Sequence, residues 1–237
     1  MKNKILLTGF FFMAISYGFG QSITEFFSKT DAFMKTHVKD GKVAYANIHK
    51  SPEQLNSLMQ LANTINVSKD NSKDYQAFWI NAYNIAVIQG IINNYPTNSP
   101  LDHAGFFDKT TYDLAGQSVT LNEIENKILR AQFKDPRFHF VLVCGAIGCP
   151  PLINEAYLPD TLDNQLEIQT TKAINGAFIK VNTKKKRVEG SEILKWYKDD
   201  FVMQGNEIDF LNTYRTEKIP TNYNLTYFSY NWNLNQQ

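Results

Sequence analysis

The chain has 237 residues, 24 Lys and Arg against 23 Asp and Glu, a formal net charge of +1 and only 2 cysteines. So even a charge balance lacks the basic face that nucleic-acid binding calls for, and the length allows one domain with a real core. The 12 tyrosines and 17 phenylalanines suit an exported, β-containing protein with large buried rings.

Lys2 and Lys4 precede an almost unbroken apolar run from Ile5 to Ile15, and Gly18-Phe19-Gly20 leads into Gln21 and Ser22. A basic start, a short apolar run and small residues at its end are the pattern of a secretory signal. Residues 1–20 are therefore expected to be a cleaved signal peptide, and residues 21–237 a single periplasmic or secreted domain. The run is shorter than the roughly 20 apolar residues of a membrane span; the alternative is an uncleaved anchor. No cysteine stands at the cleavage point, so a lipoprotein is not supported. The later apolar helix is broken by Asn81, Asn84 and Gln89, so no transmembrane segment is expected in the mature chain. Loss of Lys2 and Lys4 with the leader turns the net charge of +1 into −1.

In chain order, Ile23 to Val38 carries Phe26, Phe27, Phe33 and Met34 at helical spacing. Asp40-Gly41 turns the chain into Lys42 to Ile48, a short strand in which Val43 and Tyr45 alternate. Ser51-Pro52-Glu53-Gln54 predicts a helix start with Ser as cap and Pro at the first position. Tyr75 to Tyr95 is apolar nearly all round, which predicts a helix buried inside the domain, ended by Pro96. Thr110 to Leu121 reads as a hairpin around Gly116, and Thr120-Leu121-Asn122-Glu123 opens a helix with a capping box. After Asp135-Pro136, Phe138 to Cys144 reads as a strand from its aromatic and β-branched content. Leu162 to Ile174 reads as a helix and Phe178 to Val188 as a hairpin. The run Lys184-Lys185-Lys186-Arg187 makes a solvated turn, with contact to an anionic surface as the alternative. Ser191 to Phe201 and Asn206 to Arg215 read as helices, and Leu225 to Leu234 as a terminal strand. Without regular βαβ alternation the fold class is α+β: a buried central helix with a small, mostly antiparallel sheet.

Two groups of residues stand out chemically. Asn81 and Asn84 are three apart and share one face of the buried helix; as buried amides they must find partners in other segments. They read either as a structural network that fixes the fold or as groups that orient a pocket. The second group is Phe138-His139-Phe140-Val141-Leu142-Val143-Cys144-Gly145-Ala146-Ile147-Gly148-Cys149-Pro150-Pro151. A cysteine before prolines, at the start of a helical turn, meets free N–H groups that favour a thiolate, and an imidazole could shuttle its proton. Against this, an oxidising compartment favours a Cys144–Cys149 disulfide or leaves two inert thiols. C-x4-C alone supplies two ligands without zinc spacing, and neither a CxxC redox motif nor any cofactor fingerprint is present. No metal and no cofactor are therefore expected. His103 sits in a loop where ligand contacts are common, and Asn126 shares a side with Arg130. Trp196-Tyr197 with Asp199, Asp200 and Phe201 reads as core rings beside a solvated acidic helix end.

Phe78-Trp79-Ile80-Asn81-Ala82-Tyr83-Asn84, Ser118 to Glu125, Ile128-Leu129-Arg130, Asp135 to Phe140, Cys149-Pro150-Pro151-Leu152 and Trp196-Tyr197 with Asp200-Phe201 together resemble the "domain of unknown function 547" family. The resemblance covers about residues 73–200. It implies a shared fold and no established activity, and it emphasises Asn81, Asn84, Arg130, His139 and Cys149. Asn126 stands where the family pattern usually has a histidine.

Two functions follow as expectations. One is a cysteine-thiol-dependent hydrolase or acyl or peptidyl transferase, with Cys149 as nucleophile, His139 as base and Asn81 or Asn84 as orienting groups. The other is a non-catalytic exported binding or scaffold module with a structural Asn/Arg/His network. In either case Arg130 and His103 are the expected contacts to a small-molecule, peptide or glycan ligand.

Overall fold

The computed structural model describes residues 16–203 and 205–237. The expected signal peptide falls largely on residues 1–15, outside the described residues. Helix α1, Ser16–His37, buries Phe26, Phe33 and Met34, as their spacing predicts. Strands β1, Val38–Lys39, and β2, Lys42–Val43, flank the Asp40-Gly41 turn. The strand predicted to reach Ile48 stops after Val43. The chain coils instead into α2, Tyr45–Lys50, which buries Tyr45 and Ile48 on one face. Ser51 does not cap the next helix; its N–H closes α2 on the carbonyls of Asn47 and Ile48. Helix α3, Glu53–Thr64, begins after Pro52, and Gln54 turns to His37 at 3.3 Å.

Helix α4, Ser72–Asn93, is the axis of the molecule, buried on every side from Ala77 to Ile88. Its apolar circumference leaves no face suited to water. Strands β3, Thr111–Leu114, and β4, Gln117–Thr120, form the expected hairpin, with Gly116 at φ +70 in its turn. Helix α5 covers 121–133. Its capping box is formed: Glu123 N–H donates to Thr120 Oγ1 at 3.1 Å, and Thr120 N–H donates to Glu123 Oε2 at 3.1 Å. Its middle, Ile124–Arg130, is π-helical, a local widening often found at functional sites.

The remaining elements are α6, Leu162–Asn175; β5, Ile179–Asn182; β6, Arg187–Ser191; α7, Glu192–Trp196; α8, Lys198–Phe201; α9, Glu207–Tyr214; and β7, Asn224–Phe228. β5 and β6 are antiparallel, whereas β6 and β7 are parallel. The fold is α+β, and the strands among the described residues divide into three small sheets. No helix among the described residues is long and apolar enough to cross a membrane.

Two further segments depart from their predicted strand state. Pro136–Phe140 is a 3-10 turn, capped by Asp135, whose side chain accepts from Arg137 N–H at 2.9 Å. A turn of three residues per revolution sends consecutive side chains in different directions. Phe138, His139 and Phe140 can therefore all be buried, Phe138 in one apolar cluster and Phe140 in the adjoining one. The terminal strand ends at Phe228 rather than Leu234. The residues beyond it form an extended tail that bonds to the cysteine turn, described below.

Candidate functional site

The two helix amides act as substitutes for missing strands. Asn84 Nδ2 donates to Val141 O at 2.9 Å, and Val143 N–H donates to Asn84 Oδ1 at 2.9 Å. Asn81 repeats the pattern on another segment: it donates to Tyr157 O at 2.7 Å and accepts from Tyr157 N–H at 3.0 Å. A primary amide carries the same donor and acceptor as a peptide unit, so it completes the bonding of irregular backbone inside a core. Both amides face backbone, and neither lines the hollow described next.

Held on one side by Asn84, the segment from Val141 enters the Cys144–Cys149 turn. Gly145 has φ +84, and a Cβ there would lie 2.5 Å from Ile91 Cδ1, so only glycine fits. On the other side the C-terminal tail clamps the turn. Ile147 N–H and Gly148 N–H donate to Asn233 O and Asn231 O, each at 2.8 Å, and Asn235 N–H donates to Gly145 O at 2.9 Å. Asn235 is itself fixed by the phenol of the buried Tyr45, at 2.8 Å. Cys144 and Cys149 are joined in a disulfide. Tyr230 reaches both sulfurs, donating to Cys149 Sγ at 2.8 Å and lying 3.0 Å from Cys144 Sγ. Cys144 N–H also donates to Cys149 Sγ, at 3.0 Å.

The disulfide forms part of the wall of a hollow of about 290 Å³. Tyr83 of α4, Asn122 and Glu125 of α5, and His139 contribute a polar side; Trp196 and Tyr197, with Tyr230 and Trp232 of the tail, contribute aromatic walls. Trp196, read from the sequence as a core ring, is 45% exposed and stacks on Trp232 at 5.9 Å and 24°. A larger hollow of about 450 Å³ also borders Asp200, between Phe133, Phe210 and Tyr214; none of the sequence-selected site residues lines it.

His139 is buried and stacks on Tyr197 at 4.0 Å, with its Nε2 2.6 Å from Asp200 Oδ2 and its Nδ1 4.0 Å from Glu125 Oε1. Arg130 Nε donates to the same Asp200 oxygen at 2.7 Å, its guanidinium carbon lies 4.5 Å from the Tyr197 ring centre, and its Nη1 meets Asn126 Oδ1. Asp200 is therefore no solvated helix end. Burial raises its pKa, but the bonds from His139 and Arg130 outweigh that and hold it at about 2. For Arg130 burial opposes the charge, while Asp200 and then Glu125 more than restore it, and its pKa is raised. Burial, followed by the charge of Glu125, raises the phenols of Tyr197, Tyr83 and Tyr230, so all three stay protonated donors.

The structure thus brings His139 and Cys149 to one hollow and sets Arg130 and Asn126 behind its wall. It leaves Asn81 and Asn84 in the scaffold. His103 follows the short 3-10 turn Pro100–Asp102 and does not line the hollow. Sequence reasoning missed Glu125, Tyr230 and Trp232. The one available signal was the alternation of Tyr230 and Trp232 in an otherwise polar tail.

Residues 67–174 match the model of a family described as "Protein of unknown function, DUF547". Comparison with curated proteins and with solved structures finds no match to this chain.

Proposed function

We propose that this chain, which carries the DUF547 segment over residues 67–174, is an exported binding module whose hollow receives the ammonium end of a small molecule or peptide. The carrying observation is a carboxylate among aromatic rings, Glu125, that has no Lys or Arg within ion-pair distance among the described residues. On the wall, Asp200 is bonded to Arg130 at 2.7 Å, whereas Glu125 faces the neutral Tyr197 phenol and an imidazole nitrogen at 4.0 Å and meets Arg130 only through longer-range charge. Rings attract a cation through their negative faces, more strongly where water is excluded. A volume of about 290 Å³ sits at the small end of ligand pockets, which suits one side chain or a small amine. In this reading Asn81, Asn84, Arg130 and His139 form the structural network that keeps the walls in register.

The test is a fluorescence titration of the oxidised protein. Trp196 and Trp232 line the hollow, while Trp79 is fully buried, so ligand entry registers on the first two. Aromatic and aliphatic amines should bind at least tenfold more tightly than their neutral alcohol counterparts, and Glu125→Gln should erase the difference. Equal affinity for amine, alcohol and uncharged glycan in the wild-type protein removes the ammonium reading.

A second reading is a thiol-dependent hydrolase or acyl or peptidyl transferase with Cys149 as nucleophile and His139 as base. In its favour, both residues border the same hollow. It applies to the reduced chain alone, since the bonded sulfur carries no nucleophilic thiolate. Iodoacetamide should then label Cys149 faster than Cys144 after mild reduction; equal labelling of the two would end it.

A further inference from the structure

Beyond ligand binding, we propose that Cys144–Cys149 is a thiol–disulfide exchange centre for low-molecular-weight dithiols, with Cys144 as the sulfur attacked and Cys149 as the leaving thiolate. Three observations carry this assignment.

First, the disulfide is not what holds its turn. Gly145 supplies the left-handed corner at φ +84, Asn84 grips Val141 and Val143 on one side, and three backbone bonds from the C-terminal tail grip the other. Opening the sulfur–sulfur bond leaves each of these in place, so reduction does not require unfolding. Second, both cysteines are only partly buried and line the hollow, so a small thiol that enters it meets the disulfide without displacing core. Third, the two sulfurs differ in their donors. Cys149 Sγ accepts from Tyr230 O–H at 2.8 Å and from Cys144 N–H at 3.0 Å, whereas Cys144 Sγ has Tyr230 alone at 3.0 Å. A departing thiolate is stabilised by hydrogen-bond donors, and exchange is faster when the leaving sulfur is the better-stabilised thiolate.

A substrate thiolate attacks Cys144 Sγ. The Cys144–Cys149 bond breaks, and its electron pair leaves on Cys149, facing Tyr230 O–H and Cys144 N–H. The second thiol of the substrate, once deprotonated, attacks its own sulfur in the mixed disulfide and releases Cys144. The dithiol has become a disulfide, and two electrons and two protons end on Cys144 and Cys149. An oxidised low-molecular-weight disulfide returns the pair to its starting state by the reverse exchange.

The experiment uses the full mature chain, with dithiothreitol as the dithiol and glutathione as a monothiol probe. Rates are followed by the fluorescence of Trp196 and Trp232 and by thiol trapping, and circular dichroism monitors the fold. Dithiothreitol should open the bond in the folded protein with no loss of helix signal, and Tyr230→Phe should slow this at least tenfold. Glutathione should form its mixed disulfide on Cys144. A bond that opens only under denaturing conditions, an adduct found on Cys149, or an unchanged rate in folded Tyr230→Phe overturns the proposal. Dithiothreitol is uncharged, so failure here leaves the ammonium site standing, and failure of amine binding leaves the exchange centre standing.

Discussion

The imidazole of His139 lies 2.6 Å from the carboxylate of Asp200, 61 positions along the chain, and both border the same aromatic residue. His139 stacks on Tyr197 at 4.0 Å, while Arg130, bonded to the same carboxylate oxygen, sits 4.5 Å from the Tyr197 ring centre. Four side chains from α5, the Pro136 turn, and the α7 to α8 region thus lock one wall of the hollow to the rest of the core.

Asp200 should make the protein acid-sensitive in a defined window. Its folded pKa of about 2 is below the ordinary 3.8, so the linked stability is complete above the ordinary value. It is lost as pH falls through the interval towards 2. Asp200→Asn removes that linkage, although Glu207, whose pKa is also lowered, remains. Urea midpoints measured from pH 5 down to pH 2 should therefore fall less steeply in the variant than in the wild type. Parallel slopes would show that the carboxylate is not held by His139 and Arg130.

Asn84→Leu strands a buried carbonyl, Val141 O, and a buried N–H, that of Val143. Each unsatisfied group costs about 1–3 kcal/mol, so the variant should lose roughly 2–6 kcal/mol in urea unfolding. Asn81→Leu, which strands Tyr157 N–H and O, should lose a similar amount. The exposed Asn154 is the control, and Asn154→Leu should stay within about 0.5 kcal/mol of wild type. Near-neutral behaviour at both helix positions would show that water or rearrangement satisfies these groups.

Gly148→Ala tests the seat of the tail. A Cβ at this position would lie 2.9 Å from Tyr230 ring carbons and 2.9 Å from Asn231 N, closer than packed atoms tolerate. The tail must retreat, at a cost of about 1–3 kcal/mol. Hydrogen exchange at the N–H groups of Ile147 and Gly148, which bond to the tail, should accelerate at least tenfold. Unchanged protection with full stability would mean that the tail does not close the hollow.

Local patterns in the chain were enough for several elements. An apolar circumference from Phe78 to Ile92 can only be a buried helix, and the Thr120/Glu123 capping box marks a helix start by chemistry confined to four residues. The Gly116 hairpin is legible for the same reason. The segment from Phe138 to Cys144 is different. Its composition favours a strand, but a strand needs a neighbour, and here the neighbour is the side chain of Asn84 together with a tail nearly 90 residues away. Likewise Ser51 closes α2 instead of opening α3, because α3 starts at Glu53 with Pro52 in the cap position, one residue beyond Ser51.

The amino-acid order by itself determined which residues were chemically unusual: two amides on an apolar helix, an imidazole ahead of a glycine-flanked pair of cysteines, and a Trp-Tyr pair near an acidic end. Those properties depend on residue type and on spacings of one to five positions. Only the tertiary structure decided which of them face one another. It turned the amides towards backbone, joined the two sulfurs, and brought Glu125, Asp200 and Tyr230 around His139. Such meetings depend on how helices and a returning tail pack in three dimensions, and no local periodicity encodes them, whether the partners stand 14 positions apart, as Glu125 and His139 do, or 61, as His139 and Asp200 do.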